Sequence, residues 1–363
     1  MSLPSKMKAL VTVEDHQATV QEVDVPTLDA DEILVRTLAV TINPTDWKHV
    51  AFISGPGNRV GCDFVGVVEQ LGSSVRNSSL QKGDRVAGFV HGGKEPERGS
   101  FAEYLKTDSK IVAKIPDNVD DLTAAALGIG GETAVQALFH RLNLPVPDFS
   151  NGAVPVKDDA QEVLIWSGST TVGQWAIQLA HLAGYKVITT ASPKNHDLLK
   201  SLGADDLFDY RDESTPEKIS SKYPKLSKAL DCISENGTQQ LCVKSLGQGG
   251  GEVVVLLKPD KEAIELRKGE VKIIHTLAYT ALGRPFNYGK AVYDQATVEA
   301  DSKKMQEWLN GDKGHFYTLF KQGLLKGNRT KEMQGGLEGI NEGMKYLQEG
   351  KASAEKLTYR ISS

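Results

Sequence analysis

The chain contains a short turn rich in hydroxyl side chains, of a kind that can hold a phosphate group. The turn is Ser-Gly-Ser-Thr-Thr-Val-Gly, residues 167–173, and it lies between a strand-like run and an apolar helix-like run. In a βαβ dinucleotide-binding fold, backbone N–H groups at the start of such a helix bind the pyrophosphate, and the helix dipole assists. Two of the usual glycines remain, and the hydroxyls of Ser169, Thr170 and Thr171 can donate in place of the others. The alternative is an ordinary Ser/Thr helix cap that binds no ligand.

The end of the next strand-like run indicates which dinucleotide would bind. A site that prefers NAD places an acidic residue about 20 residues after the turn, where its carboxylate binds the ribose hydroxyls. This chain has Thr-Ala-Ser-Pro-Lys-Asn at 190–195, without an acid. Ser192, Lys194 and Asn195 suit the 2′-phosphate of NADPH through charge-assisted hydrogen bonds. Tyr210 can stack on the adenine or bind the same phosphate. The alternatives are a solvated lysine after a turn and an interface tyrosine.

Composition and charge argue against several function classes. The chain has 363 residues, a net charge of −5 and 40% hydrophobic residues, which is long enough for two domains and gives no basic face for nucleic acid. Its three cysteines, Cys62, Cys232 and Cys242, are too few for a disulfide framework, so we expect a reducing compartment and favour the cytosol. No run of about eighteen apolar residues is present to span a membrane.

The order of sequence patterns predicts two kinds of domain. Strand-like runs separated by turns fill roughly the first 110 residues and predict a mostly antiparallel, barrel-like β domain. A helical pattern then begins, which Asp120 or Thr123 can cap, and a Pro- and Asp-rich surface connection follows at 145–161. Apolar strands alternating with helices from 162 onwards predict a parallel sheet covered on both faces. The last strand-like run, 355–361, is expected to rejoin the β domain.

Taken together, these motifs resemble the medium-chain dehydrogenase/reductase superfamily. The resemblance extends along nearly the whole chain, and the segments that carry it are TINPTDWK (41–48), GCDFVGVVEQLGSSV (61–75), GDRVAGF (83–89), GSFAEY (99–104), AAALGIGGETAVQAL (124–138), SGSTTVGQWAIQLA (167–180), LLKSLGADDLFDY (198–210), LDC (230–232) and GKASAEKLTYRI (350–361). It implies an α/β protein with two domains. A GroES-like β-barrel catalytic domain would comprise residues 1–150 and 315–363, and a Rossmann domain with a doubly wound parallel sheet would comprise 151–314.

The same resemblance implies that no metal is bound. Zinc alcohol dehydrogenases carry a catalytic Cys where this chain has Asn43, a His-Glu pair where it has Cys62-Asp63, and a third ligand, usually Cys, near Leu127. One thiol and one carboxylate do not make the three-ligand site that catalytic zinc needs. The four-cysteine structural lobe expected between 86 and 102 is also missing. His91 is expected to be a loop histidine without a clustered partner.

Among zinc-free members, the motifs NPTDWK, GSTTVG, SPKN and FDY are most similar to fungal stand-alone trans-enoyl reductases, which act with polyketide synthases, and to yeast zinc-type alcohol dehydrogenase-like proteins. The similarity implies that NADPH is contacted by Pro44, Thr45, Asp46, Trp47, Lys48, Ser169, Thr170, Thr171, Val172, Ser192, Pro193, Lys194, Asn195, Tyr210, Leu256, Leu257 and Ser353. It implies a substrate cleft lined by Leu127, Gly128, Ile129, Gly130, Gly131, Thr133, Ala134, Ala278 and Tyr279. Ala354 stands where the family usually has Gly, next to Ser353.

The implied reaction moves a hydride from NADPH to the β-carbon of an α,β-unsaturated acyl or polyketide thioester. Negative charge develops on the carbonyl oxygen, and without a metal, hydrogen-bond donors must stabilise it. The candidate catalytic groups are the Lys48 ammonium and the Thr133 hydroxyl, together with backbone N–H groups at Gly130 and Gly131. We expect Lys48 to position the cofactor; proton donation and simple solvation are the alternatives. Asp46 either orders the loop or pairs with Lys48.

Two other functions are compatible with the sequence: a quinone or enone reductase, and a catalytically quiet NADPH-binding sensor or partner protein. For the enoyl reductase, the expected partner is a polyketide synthase or an acyl carrier, whose acidic surface would meet basic residues such as Arg284, Lys290 and Lys303-Lys304. A solvated basic face is the alternative. We expect neither a nucleic-acid nor a membrane partner. Relatives dimerise through the segment equivalent to 271–280 or are monomers, so both states stay open.

Overall fold

The computed structural model describes residues 3–75 and 79–362. Its Cα positions cluster into two compact units, the first formed by Met1–Ile129 with Tyr279–Ser363 and the second by Gly130–Ala278. Over the part of the chain that the structure describes, no helix combines the length and the apolar character needed to cross a bilayer.

Antiparallel strands dominate the first stretch of the chain. Its elements are β1 (Lys6–Val13), β2 (Gln17–Asp24), β3 (Glu32–Thr41), α1 (Pro44–Phe52), β4 (Asp63–Leu71), β5 (Arg85–Phe89), β6 (Tyr104–Asp108), β7 (Ala113–Lys114) and α2 (Asp121–Ala125). Strand β3 pairs antiparallel with both β4 and β6, and β1 pairs with β2. The Asp120 side chain accepts the Thr123 N–H at 3.0 Å and caps α2. The predicted antiparallel β domain is confirmed, and of the two candidate caps, Asp120 and Thr123, the structure shows Asp120.

The second unit contains a six-stranded parallel sheet. Helix α3 (Gly128–Val135) precedes this sheet in the chain. The strands of the sheet and the helices between them are β8 (Glu162–Trp166), α4 (Thr171–Leu182), β9 (Lys186–Thr190), α5 (His196–Ser201), β10 (Asp206–Phe208), α6 (Thr215–Lys222), β11 (Lys228–Asp231), α7 (Thr238–Ser245), β12 (Gly251–Val255), α8 (Lys261–Leu266) and β13 (Val271–His275). The strand order is β10-β9-β8-β11-β12-β13. Because β8 is buried from Val163 to Trp166, both faces of the sheet are covered, as its continuous apolar run predicts. The Rossmann-like architecture is confirmed.

The chain then returns to the first unit. The returning elements are β14 (Phe286–Tyr288), β15 (Ala291–Tyr293), α9 (Gln295–Leu309), α10 (His315–Lys321), β16 (Thr330–Glu332), α11 (Gly336–Gln348) and β17 (Lys356–Arg360). Strand β17 pairs antiparallel with β3 and parallel with β16, which gives the sheet order β16-β17-β3-β4-β5-β7 with β6 on β3. Leu337, Ile340 and Met344 of α11 pack into the core beside this sheet. The last strand therefore rejoins the β domain as predicted, whereas the β14–β15 hairpin was not predicted.

The boundaries between the two units lie at 129/130 and 278/279, whereas the predicted boundaries were 150/151 and 314/315. Residues 130–150 belong to the parallel-sheet unit, where the Lys228 ammonium donates to the Leu142 carbonyl at 3.1 Å. Residues 279–314 belong to the first unit, where the Arg284 guanidinium donates to the buried Glu32 carboxylate at 2.8 Å. Both segments thus contact residues far away in the sequence, and such contacts leave no local trace in the sequence.

Candidate active site

The hydroxyl-rich turn at 167–173 joins β8 to α4. Ser167 has φ of +65°, in the left-handed region that glycine usually occupies. The Thr170 hydroxyl accepts the Gly173 N–H and donates to the Ser167 carbonyl, each at 3.0 Å, so it caps α4. A Cβ on Gly173 would lie 2.7 Å from the Gly168 Cα, which requires glycine there. The cap expected as an alternative thus accounts for the Thr170 hydroxyl, while Ser169, Thr171 and Val172 lie partly exposed around the helix start.

The other candidate cofactor residues of the second unit follow the carboxyl ends of neighbouring parallel strands. The Gly168 N–H donates to the Thr190 carbonyl at the end of β9, and the Ala191 N–H donates to the Phe208 carbonyl at the end of β10, both at 3.0 Å. Leu256 follows β12 on the same sheet. In an open α/β sheet, ligands bind outside this carboxyl edge. The structure therefore places the turn, residues 191–195, Tyr210 and Leu256-Leu257 along the same edge of the sheet.

The segment after β9 offers donors for a phosphate group. Ser192 precedes a single 3₁₀ turn, Pro193–Asn195, within which Lys194 is exposed and Asn195 is buried. Tyr210 is 48% exposed. The Lys194 ammonium, the Ser192 hydroxyl and the Tyr210 phenol, on the same sheet edge as the start of α4, form a donor set that suits an anion. This chemistry fits the phosphates of a dinucleotide.

In the first unit, helix α1 carries the candidate residues Pro44 to Lys48. Asn43 is its N-cap residue, and Pro44 is at the first helical position, where its missing N–H is not needed. The Asp46 carboxylate accepts the Asn43 N–H at 2.7 Å and is 1% exposed. Burial raises the pKa of Asp46 to about 7. The bond to the Asn43 N–H agrees with the first expected role of Asp46, which is to order the loop. Thr45, Trp47 and Lys48 are partly exposed.

A cluster of aromatic rings surrounds Tyr279. Its hydroxyl lies 2.7 Å from the Thr45 hydroxyl and 3.6 Å from the Cys62 sulfur. His91 stacks on the Tyr279 ring with centroids 3.8 Å apart, and the His49 ring lies 5.8 Å from it. The expectation that His91 has no clustered partner is therefore wrong. Burial lowers the pKa of His91 to about 3 and that of His49 to about 4, so both imidazoles are neutral at pH 7. A candidate substrate residue and a candidate cofactor residue meet here.

The candidate substrate segment 127–134 runs through the start of α3. Leu127, Gly128, Gly131 and Ala134 are buried, as is Thr133. The Ile129 N–H donates to the Asp63 carboxylate at 2.7 Å. Within the second unit, a Cβ on Gly130 would lie 2.6 Å from the Thr171 methyl group. Glycine at 130 therefore permits close contact between this segment and the hydroxyl-rich turn.

A buried ion pair occupies the positions at which zinc alcohol dehydrogenases carry metal ligands. The Lys356 ammonium lies 3.0 Å from the Asp63 carboxylate and donates to the Asn43 amide oxygen. Within residues 3–75 and 79–362, no group of three or more His, Cys, Asp or Glu side chains is arranged to hold a metal ion. The donor set does not fit zinc, because an ammonium already compensates the one carboxylate. Sequence reasoning missed Lys356, which is 313 positions from Asn43.

The remaining candidate residues lie on loops. Ser353 precedes β17, and its carbonyl accepts a bond from the Arg329 guanidinium at 2.8 Å. Its neighbour Ala354 has φ of +54°, in the left-handed region that favours glycine. Ala278 is buried at the start of a 3₁₀ turn, Ala278–Leu282, and Leu257 is 38% exposed.

Comparison with known proteins agrees with this architecture. Residues 29–117 match the model of the alcohol dehydrogenase GroES-like domain, and residues 171–285 match that of the zinc-binding dehydrogenases. The chain is 41% identical to trans-enoyl reductase TOXD of Cochliobolus carbonum, over 79% of this chain and 94% of that protein. It is 37% identical to trans-enoyl reductase ACTTS2 of Alternaria alternata, over 98% of both. The fold matches the quinone oxidoreductase of Coxiella burnetii with a TM-score of 0.71 at 22% identity, covering 98% of this chain and 100% of that one.

Proposed function

Because the chain belongs to the medium-chain dehydrogenase/reductase superfamily and, within it, to the fungal trans-enoyl reductases, we propose that it reduces the carbon–carbon double bond of an α,β-unsaturated acyl or polyketide thioester with NADPH and without a metal. The observation that carries the proposal is the similarity to a trans-enoyl reductase along 98% of the chain. The protein is an oxidoreductase that uses a nicotinamide cofactor, and the choice of NADPH is inferred from its residues.

NADPH is favoured over NADH by the chemistry at the end of β9. Residues 190–195 contain no carboxylate to bind the ribose hydroxyls, and the exposed Lys194 ammonium suits a 2′-phosphate. Ser169, Thr171 and the N–H groups at the start of α4 would hold the pyrophosphate. Thr45, Lys48, Leu256 and Ser353 would contact the rest of the cofactor. When bound, the cofactor supplies a hydride.

The residues of the chain must stabilise the charge that develops on the substrate. As the β-carbon accepts a hydride, the thioester oxygen becomes an enolate oxygen, and donors aimed at it lower the barrier. The Thr133 hydroxyl and the N–H groups of Gly130 and Gly131, in the first turns of α3, are the donors we assign to this task. The Lys48 ammonium holds the cofactor in position. The α-carbon then takes a proton from a donor or from water.

We place the protein in the cytosol, where a synthase or an acyl carrier presents the thioester. Lys290, Lys303 and Lys304 are exposed and would meet an acidic carrier surface. Arg284 is a weaker candidate because its guanidinium pairs with the buried Glu32 carboxylate. Both a monomer and a dimer paired through β13, the edge strand of the parallel sheet, are compatible with this proposal.

A rate comparison tests the proposal. We expect NADPH oxidation with a panel of enoyl thioesters of increasing chain length, and rates unchanged by a chelator such as EDTA. Turnover of quinones but not of enoyl thioesters would assign the enzyme to the quinone reductases. Tight NADPH binding without turnover of any substrate in the panel would indicate a sensor or partner protein.

A further inference from the structure

Lys356 is a lysine inside the core of the first unit. It is the first residue of β17, and its side chain is 2% exposed. A buried ammonium is strongly unfavourable unless it is paired and hydrogen-bonded. Its partners are the Asp63 carboxylate, 3.0 Å away, and the Asn43 amide oxygen. The burial of Lys356 is therefore compensated by these two specific partners.

The Asp63 carboxylate, which is fully buried, connects four parts of the first unit. It accepts the Thr41 hydroxyl, the Asn43 side-chain amide and the Ile129 N–H, each at 2.7 Å, and it pairs with Lys356. We call Thr41, Asn43, Asp63 and Lys356 the lysine hub. Every carboxylate oxygen of Asp63 is engaged, which is the condition under which a buried ion pair is stable.

Two candidate functional segments begin at the lysine hub. Asn43 is the N-cap residue of α1, the helix that carries Thr45 and Lys48, and its N–H is held by Asp46. Ile129 lies at the start of α3, and its N–H is held by Asp63. A shift of Asp63 or Asn43 would therefore move both segments at once.

We propose that Lys356 acts as a built-in cation that replaces the catalytic metal of the zinc-containing members in one respect only, the positioning of the segments around Asn43 and Asp63. In those members the residues equivalent to Asn43 and Asp63 belong to the metal site; here they face an ammonium. Lys356 is a positioning residue, since it contacts Asn43 and Asp63 rather than reacting groups. For its kinetic consequences, this inference depends on the proposed reductase activity.

The first experiment substitutes the lysine and then restores the charge. Propylammonium supplies the atoms that Lys356→Ala removes beyond Cβ, and propanol has a similar size without the charge. We expect K356A to lower the melting temperature by ~5–10 °C, because a buried carboxylate loses its partner, and to lower kcat/KM about 100-fold through misplaced groups. Propylammonium should raise the kcat/KM of K356A at least tenfold, whereas propanol should not. Lys351→Met, an exposed lysine of the same segment, should change neither quantity.

A second variant keeps the proposal testable if K356A does not fold. D63N/K356M removes both charges, so we expect most of the melting temperature to return, because no unpaired charge stays buried. Its kcat/KM should stay at least tenfold below that of the wild type, because the carboxylate that holds Ile129 and Asn43 is gone. Three results would overturn the proposal. The first is a wild-type kcat/KM in D63N/K356M, and the second is a rise in the kcat/KM of K356A that is as large with propanol as with propylammonium. The third is one zinc ion per wild-type chain in metal analysis. If the wild type turns over no enoyl thioester, the proposed function fails. The positioning role of Lys356 can still be tested without turnover, from the melting temperatures and from NADPH affinity measured by fluorescence with and without propylammonium.

Discussion

The buried carboxylate of Asp46 makes a specific prediction about how stability depends on pH. Asp46 has one oxygen bonded to the Asn43 N–H, while its other oxygen has no hydrogen-bond partner. Burial raises its pKa from 3.8 to about 7, and the neighbouring Asp63 charge adds to the shift. In the unfolded chain the side chain is solvated and returns to its ordinary pKa. The folded state therefore binds the Asp46 proton more tightly than the unfolded state does.

The sign and the magnitude follow from linkage. Since the pKa is raised on folding, the contribution of Asp46 is fully present below about pH 4 and is lost as pH rises through about 7. A shift of about three pKa units corresponds to roughly 4 kcal/mol at most. Asp46→Asn resembles the protonated side chain and keeps an acceptor for the Asn43 N–H. We expect equal stability of the two proteins near pH 4 and a more stable D46N at pH 8, with a melting temperature higher by up to ~8 °C.

Thermal unfolding followed by circular dichroism at pH 4, 6 and 8 measures this difference. Asp158→Asn, a substitution of an exposed loop carboxylate, is the matched control and should follow the wild type at every pH. Parallel profiles for D46N and the wild type would refute the assignment of a raised pKa to Asp46. A D46N protein that is less stable than the wild type at pH 8 would show that the carboxylate is held ionised.

Three further outcomes are expected. Thr133→Val should lower kcat about 100-fold with little change in KM, since a donor to the enolate oxygen is lost. T133S keeps the hydroxyl and should keep most of the activity. Steady-state kinetics that do not distinguish the two variants would remove Thr133 from the mechanism. Lys194→Ala should weaken NADPH binding roughly tenfold and leave NADH binding unchanged; an equal loss for both in calorimetry would contradict a 2′-phosphate contact. Ala354→Gly should raise the melting temperature by ~2–4 °C, because it relieves the backbone strain of an alanine in the left-handed conformation. Ala352→Gly, at a position outside that conformation, should lower the melting temperature or leave it unchanged. A higher melting temperature for A352G than for A354G would show that Ala354 is unstrained.

Much of the fold could be predicted because its patterns are local. The apolar run of β8, the turn at 167–173 and the helix after it are adjacent in sequence, so their type and order follow from periodicity and turn chemistry. Asp120 is recognisable as a cap because its partner, Thr123, is three residues away. The β14–β15 hairpin was not recognised because its strands have three residues each, too short for an alternation pattern.

The parts of the site that escaped prediction depend on partners far apart in the chain. Nothing in the run EKLTYRI indicates that Lys356 is buried, since lysine at the start of a strand is usually solvated. The loop position of His91 is predictable from local sequence, but its stacking on Tyr279 requires the returning segment to lie beside it. The division of the chain at 129/130 and 278/279 likewise reflects contacts between residues far apart in the sequence, of which the bond from Arg284 to Glu32 is one example.

Isotope transfer tests the central claim most directly. The enzyme would be incubated with NADPH that carries deuterium at the transferred position and with a short enoyl thioester, and the product analysed by mass spectrometry and NMR. We predict one saturated thioester for each NADPH oxidised, with one deuterium at the β-carbon and a solvent proton at the α-carbon. Deuterium at the carbonyl carbon, or NADPH oxidised while the double bond stays intact, would contradict the account.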